Sequence, residues 1–148
     1  DVYKRQQRRE GATDRASFQN FSFNFDSAAG IIYTVDVTKP KGEKITIISM
    51  ADGTPFSMDK MYKVALNSYR GNGGGELLTK GAGIPQDELK GRILFSTDKD
   101  LRYYLMQYIE KKGVIEPHAL GQWKFIPEEW VEPAAKRDYE YLFGKVEK

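Results

Sequence analysis

The run Asn72-Gly73-Gly74-Gly75 constrains this chain more than any other stretch. Three consecutive glycines forfeit a large unfolded-state entropy. A fold that uses them therefore needs a positive φ or room for a close approach to the backbone. The run lies where one kind of pattern gives way to another. Before it, Met61–Asn67 reads as a strand with Tyr62, Val64 and Leu66 on one face; after it, Glu76–Lys80 reads as a short helix stopped by Gly81. A tight turn capped by glycines would satisfy this pattern. So would a ligand corner, because free N–H groups at a helix start bind anions or polar edges. Tyr69 adds a flat aromatic face to the corner, and Asn72 adds both a donor and an acceptor. The spacing matches neither the phosphate-cradling loop that ends in Gly-Lys-Ser/Thr nor a dinucleotide fingerprint. From spacing alone, both readings stay open.

The rest of the chain reads as strands in a run with few helices between them. Phe21, Phe23 and Phe25 alternate with polar residues as in a strand with one buried face, and Phe18 to Phe25 are expected to fill the core. Ile31–Val37 and Ile45–Met50 are strand-like, separated by the turn Lys39-Pro40-Lys41-Gly42, and Asp52-Gly53 marks the next turn. Arg92–Phe95 and Gln122–Ile126 read as further strands, the second at an edge. The clearest helix is expected over Asp98–Lys112, with Thr97 as N-cap and a stripe of Leu101, Tyr104, Leu105, Tyr108 and Ile109 packing in a core or interface. Pro133 is expected to begin a last helix that ends near Gly144, with Trp123 and Trp130 anchoring the C-terminal segment. The pattern predicts an α+β fold: a mixed, mainly antiparallel sheet, one long helix and a C-terminal helix. The expected division is a polar tail over 1–17, a domain over 18–126 and a helical extension over 127–148.

Composition removes several functions. The 148 residues suffice for one domain, and their net charge of +2 does not point to nucleic acid or an anionic membrane. There is no cysteine, hence no disulfide or thiolate chemistry. No apolar run approaches the roughly 18 residues of a membrane span. The chain opens at Asp1, without a visible signal peptide, and reads as a fragment or a processed form. His118 is the single histidine, in a loop, and reads as a surface residue rather than a zinc ligand or general base. Arg70 reads as a solvated surface arginine, with a ligand phosphate as the alternative partner.

Residues 62–78, YKVALNSYRGNGGGELL, resemble the C-terminal domain signature of the 5′-nucleotidase and UDP-sugar hydrolase family. The resemblance extends upstream through FDSAAGIIYTVDVTKPKGEKITI and ADGTPF, and downstream through DLRYYLMQYIEKKG and GQWKF, so that it covers roughly 18–126. It implies a substrate-binding domain in which the aromatic after the strand's Asn is one of two that sandwich a nucleobase. Tyr69 stands at that position. Asn72, Gly73 and Gly74 match the family's Asn-Gly-Gly. Gly75 stands where the family usually has a ribose-contacting Asp, with Glu76 adjacent. The substrate-binding set so implied is Asn67, Tyr69, Asn72, Gly73, Gly74 and Gly75. Neither the family's Asn-Gly-Gly-Gly-Ile-Arg stretch nor its second stacking aromatic, in a Leu-Pro-Phe context, is found in this sequence. No catalytic or metal-ligating residue is expected in the chain, which alone should be inactive. The resemblance implies divalent metals in a separate catalytic domain, where they would activate water and clamp the phosphate. It also implies a nucleotide or nucleoside ligand, a metallophosphoesterase domain on the same or another chain, and an extracytoplasmic location. The alternative is a non-catalytic binding or scaffold module that kept the fold and lost the ligand.

Overall fold

The computed structural model describes residues 24–143. The expected tail over 1–17 and the alternating phenylalanines up to Phe23 lie outside that range. The chain divides into two compact units. One comprises Asp1–Asp59 with Leu120–Lys148, and the other Lys60–Ala119.

The first unit is built on a three-stranded sheet of β1 (Ile31–Asp36), β2 (Ile45–Met50) and β3 (Trp123–Ile126), in the order β2-β1-β3. β1 pairs antiparallel with β2, with an irregularity at Ile32/Tyr33, and parallel with β3 in the register Tyr33↔Trp123 and Val35↔Phe125. The sheet is therefore mixed. Among the described residues its two pairings are one antiparallel and one parallel, so the antiparallel majority expected from sequence is not seen there. Gln122–Ile126 does form an edge strand, as its sequence predicts.

Period-two alternation puts Tyr33 and Val35 on one face of β1, and both are buried. Trp123 stacks on Tyr33 (centroids 6.0 Å apart, planes at 12°) and meets Phe125 edge-on at 5.1 Å. Phe25 reaches the same indole at 5.7 Å. Two backbone bonds lock β3 to β1: Tyr33 N–H donates to the Gln122 carbonyl (3.0 Å) and Val37 N–H to that of Ile126 (2.8 Å).

Two Asp-x-Thr turns frame the β1–β2 hairpin. In each, the threonine's N–H and hydroxyl both donate to one carboxylate oxygen: Thr38 to Asp36 and Thr54 to Asp52. The Thr38 hydroxyl at 2.7 Å, and then its N–H, hold the Asp36 carboxyl below its ordinary 3.8, with smaller pulls from Lys39 and Lys44.

α3 (Glu128–Phe143) follows β3 after the cis Ile126–Pro127 bond and packs beside that strand. It starts five residues earlier than Pro133, the expected first residue. Glu128 and Glu129 suit the positive end of the helix, and the Pro127 carbonyl accepts from Trp130 and Val131 N–H, so the first turn closes without Pro133. Pro133 sits inside the helix, where it has no N–H to donate. Trp130 is exposed, so of the two tryptophans only Trp123 is an anchor.

The second unit carries α1 (Ser68–Gly71), a series of tight turns and α2 (Leu101–Lys112). The expected strands over 61–67 and 92–95 are not formed. Their apolar residues have strand propensity, but no ladder partner lies beside them among the described residues, and a lone strand leaves its backbone groups unsatisfied. α2 begins at Leu101. Its N-cap is Asp100, whose carboxylate accepts from Tyr103 N–H (3.0 Å), rather than Thr97, whose hydroxyl donates to the Lys99 carbonyl. Gly113 (φ 74) ends it after Lys111 and Lys112. The expected stripe of Leu101, Tyr104, Leu105, Tyr108 and Ile109 is present on the helix but exposed, not packed in a core. No described helix is long and apolar enough to cross a membrane.

Two outcomes follow from the sheet. Trp123→Ala should lower unfolding free energy by about 3 kcal/mol, at the low end for an aromatic truncation because the indole is only half-buried; denaturant titration reads this. Thr38→Val should raise the Asp36 pKa towards its ordinary value, as read by carboxyl-carbon NMR. Because the folded-state value is depressed, the stability that Asp36 contributes is present above its ordinary pKa. It is lost as pH falls through the depressed one, and the substitution should flatten that acid limb.

Candidate functional site: the glycine corner

The corner is held together by short-range bonds. Asn67 caps α1: its side-chain oxygen accepts from Arg70 N–H at 2.8 Å. Gly71 N–H donates to the Asn67 carbonyl and Asn72 N–H to that of Ser68, and Gly73 N–H then donates to the Arg70 carbonyl. Sequence patterning does not reveal α1; it predicts a helix only after the glycines. There the backbone instead makes a 3₁₀ turn over Gly74–Glu76 and a wide turn over Leu77–Gly81.

The three glycines answer two demands. Gly73 (φ 91) and Gly75 (φ 69) lie in the left-handed region. Gly74 does not, but a Cβ there would stand 2.5 Å from Tyr69 Cε2 and 2.6 Å from the Tyr69 carbonyl oxygen. Positive φ and close approach thus both occur, and what approaches Gly74 is the chain's own tyrosine. Glu76 continues the left-handed run at φ 60, a conformation that costs a non-glycine residue about 1–2 kcal/mol. Its carboxylate pairs with Lys80 Nζ at 2.6 Å.

Tyr69 remains 54% exposed, so its ring is not sealed into a core. Arg70 is 4% exposed, which corrects its reading as a solvated surface arginine. Its side chain turns back on the corner. Nη1 donates to the Gly74 carbonyl at 3.1 Å, and the guanidinium carbon lies over the Tyr69 ring, 5.2 Å from the centroid. The underside is closed by Gln86 and Leu89, to which patterning gives no pointer. Gln86 donates its amide to the Asn72 carbonyl at 3.0 Å, and the buried Leu89 lies beneath Gly73. The structure therefore gathers Asn67, Tyr69, Asn72, Gly73, Gly74 and Gly75 at one corner. Asn67 is occupied as a cap, Gly73 and Gly74 shape the turn, and Asn72 and Tyr69 present exposed side chains.

Among the described residues no three of His, Cys, Asp and Glu gather as a metal site would require. His118 is exposed, with Nδ1 near the Glu116 carbonyl at 3.2 Å.

A small mixed sheet with helices is an α+β arrangement, and comparison specifies its family. Residues 4–80 match the model of the 5′-nucleotidase C-terminal domain, which is more than half of the chain. The chain belongs to that family. It is 31% identical over 121 residues to the trifunctional nucleotide phosphoesterase protein of Bacillus subtilis, covering 74% of this chain and 8% of that protein. It is 26% identical over 121 residues to the 2′,3′-cyclic-nucleotide 2′-phosphodiesterase/3′-nucleotidase of Haemophilus influenzae, covering 72% of this chain and 17% of that protein. The chain thus spans less than a fifth of either relative. No solved structure matches it significantly.

Gly74→Ala tests the geometry directly. The new methyl would meet a backbone carbonyl as well as the ring, so it cannot be relieved by moving one flexible side chain. A loss of about 1–3 kcal/mol is expected in chemical unfolding. Gly73 differs in its source of strain: the atom nearest an added methyl there is the far end of the Gln86 side chain, which can move away, but the φ of 91 disfavours any side chain.

Proposed function

We propose that this chain supplies part of the nucleoside-holding surface of a nucleotide phosphoesterase. The supporting observation is the Tyr69 ring, half-exposed and braced beside a glycine turn, where a heterocycle can stack on it. Asn72, exposed beside it, offers a carboxamide to a base edge or sugar hydroxyl. The phosphate chemistry belongs, on this reading, to a metallophosphoesterase domain on the same or a separate chain, which holds the divalent metals. The names of the two relatives, both nucleotide phosphoesterases, support that setting. Extension to extracytoplasmic nucleotides follows from the family resemblance.

A second reading, a module that kept the fold and lost the ligand, has one observation in its favour. Position 75 offers no carboxylate, and Glu76 beside it is engaged with Lys80. Calorimetric titration with adenosine and AMP separates the two. On the first reading both ligands bind saturably, and Tyr69→Ala weakens them by about 5- to 150-fold, the loss of one stacked base. Heats that stay flat up to millimolar ligand favour the second.

A further inference from the structure

We propose that Arg70 is a positioning residue that fixes Tyr69 for stacking and leaves the ring a single face for a base. This role rests on the proposed nucleoside-binding function. A buried guanidinium is expensive unless its donors are used. The turn gives it no obvious necessity, since α1 is already capped by Asn67 and closed by backbone bonds through Gly73. Two of the contacts that Arg70 makes lie in the proposed site. One is the Gly74 carbonyl, on the residue whose missing Cβ lets the ring settle; the other is the face of the ring itself.

A planar guanidinium can stack and donate at once, which the point charge of lysine on its flexible stem cannot. With Arg70 over one face of the half-exposed Tyr69 ring, a heterocycle is directed to the other face. A ring held in place before binding also forgoes the entropy loss of ordering a loose side chain. Its burial does not fit a solvated surface arginine.

The test is a double-mutant cycle on the full chain, with adenosine affinity measured by calorimetry for wild type, Arg70→Lys, Tyr69→Ala and the double variant. Arg70→Lys should weaken binding about 3- to 10-fold in the wild-type background and have little further effect once Tyr69 is gone. A merely structural arginine would cost the same in both backgrounds, and that result overturns the role. So does wild-type affinity in Arg70→Lys while Tyr69→Ala binds weakly; in that case the nucleoside site stands and only the positioning role falls. No adenosine binding by the wild-type chain overturns both. Should Arg70→Lys fail to fold, NMR of the wild-type guanidinium decides. Slowly exchanging, rotationally hindered Nη protons are expected, and free rotation counts against the role.

Discussion

Residues near position 30 and residues near position 122 are held side by side, and the sheet depends on that pairing. Gly30 N–H donates to the Gln122 side chain across a separation of 92 residues, and the parallel ladder of β1 with β3 continues from there. Closing a loop of that length costs about 4 kcal/mol of chain entropy, a logarithmic cost that grows slowly with further insertion. The aromatic face of Tyr33, Trp123, Phe125 and Phe25 is what offsets it, because burying two such rings is worth free energy of the same order. The second unit leaves after the hairpin and returns at β3, so its chain can vary in length at little cost to the sheet.

Different signals were legible to different degrees. β1, β2 and β3 were readable because β-branched and aromatic runs bounded by turn residues coincide with an available ladder partner. The segments 61–67 and 92–95 carry the same kind of signal without the partner, and propensity alone does not make a strand. Helix starts were misread where two capping schemes competed: Asp100 outcompetes Thr97, and the carbonyl of Pro127 starts α3 well before Pro133. Each of these decisions turns on one acceptor group, which a windowed pattern averages away.

The site was legible in its glycines and not in its wiring. That Gly73, Gly74 and Gly75 needed a special backbone followed from their entropy cost. Which one needed positive φ and which needed closeness did not, because the neighbour of Gly74 is a ring five residues back rather than a ligand. Arg70 could not be placed because exposure at the end of a short helix is set by how the following turn folds over it. Gln86 and Leu89 come from beyond the corner and carry no motif.

The chain's chromophores are divided in the same way as its fold. Both tryptophans, Trp123 and Trp130, lie in the sheet-bearing unit, whereas Lys60–Ala119 has tyrosines and Phe95 but no tryptophan. Light absorbed by indole alone therefore reports on one unit and is blind to the other. A melting step silent in tryptophan emission is therefore one that leaves the surroundings of Trp123 and Trp130 unchanged, a distinction that needs no label.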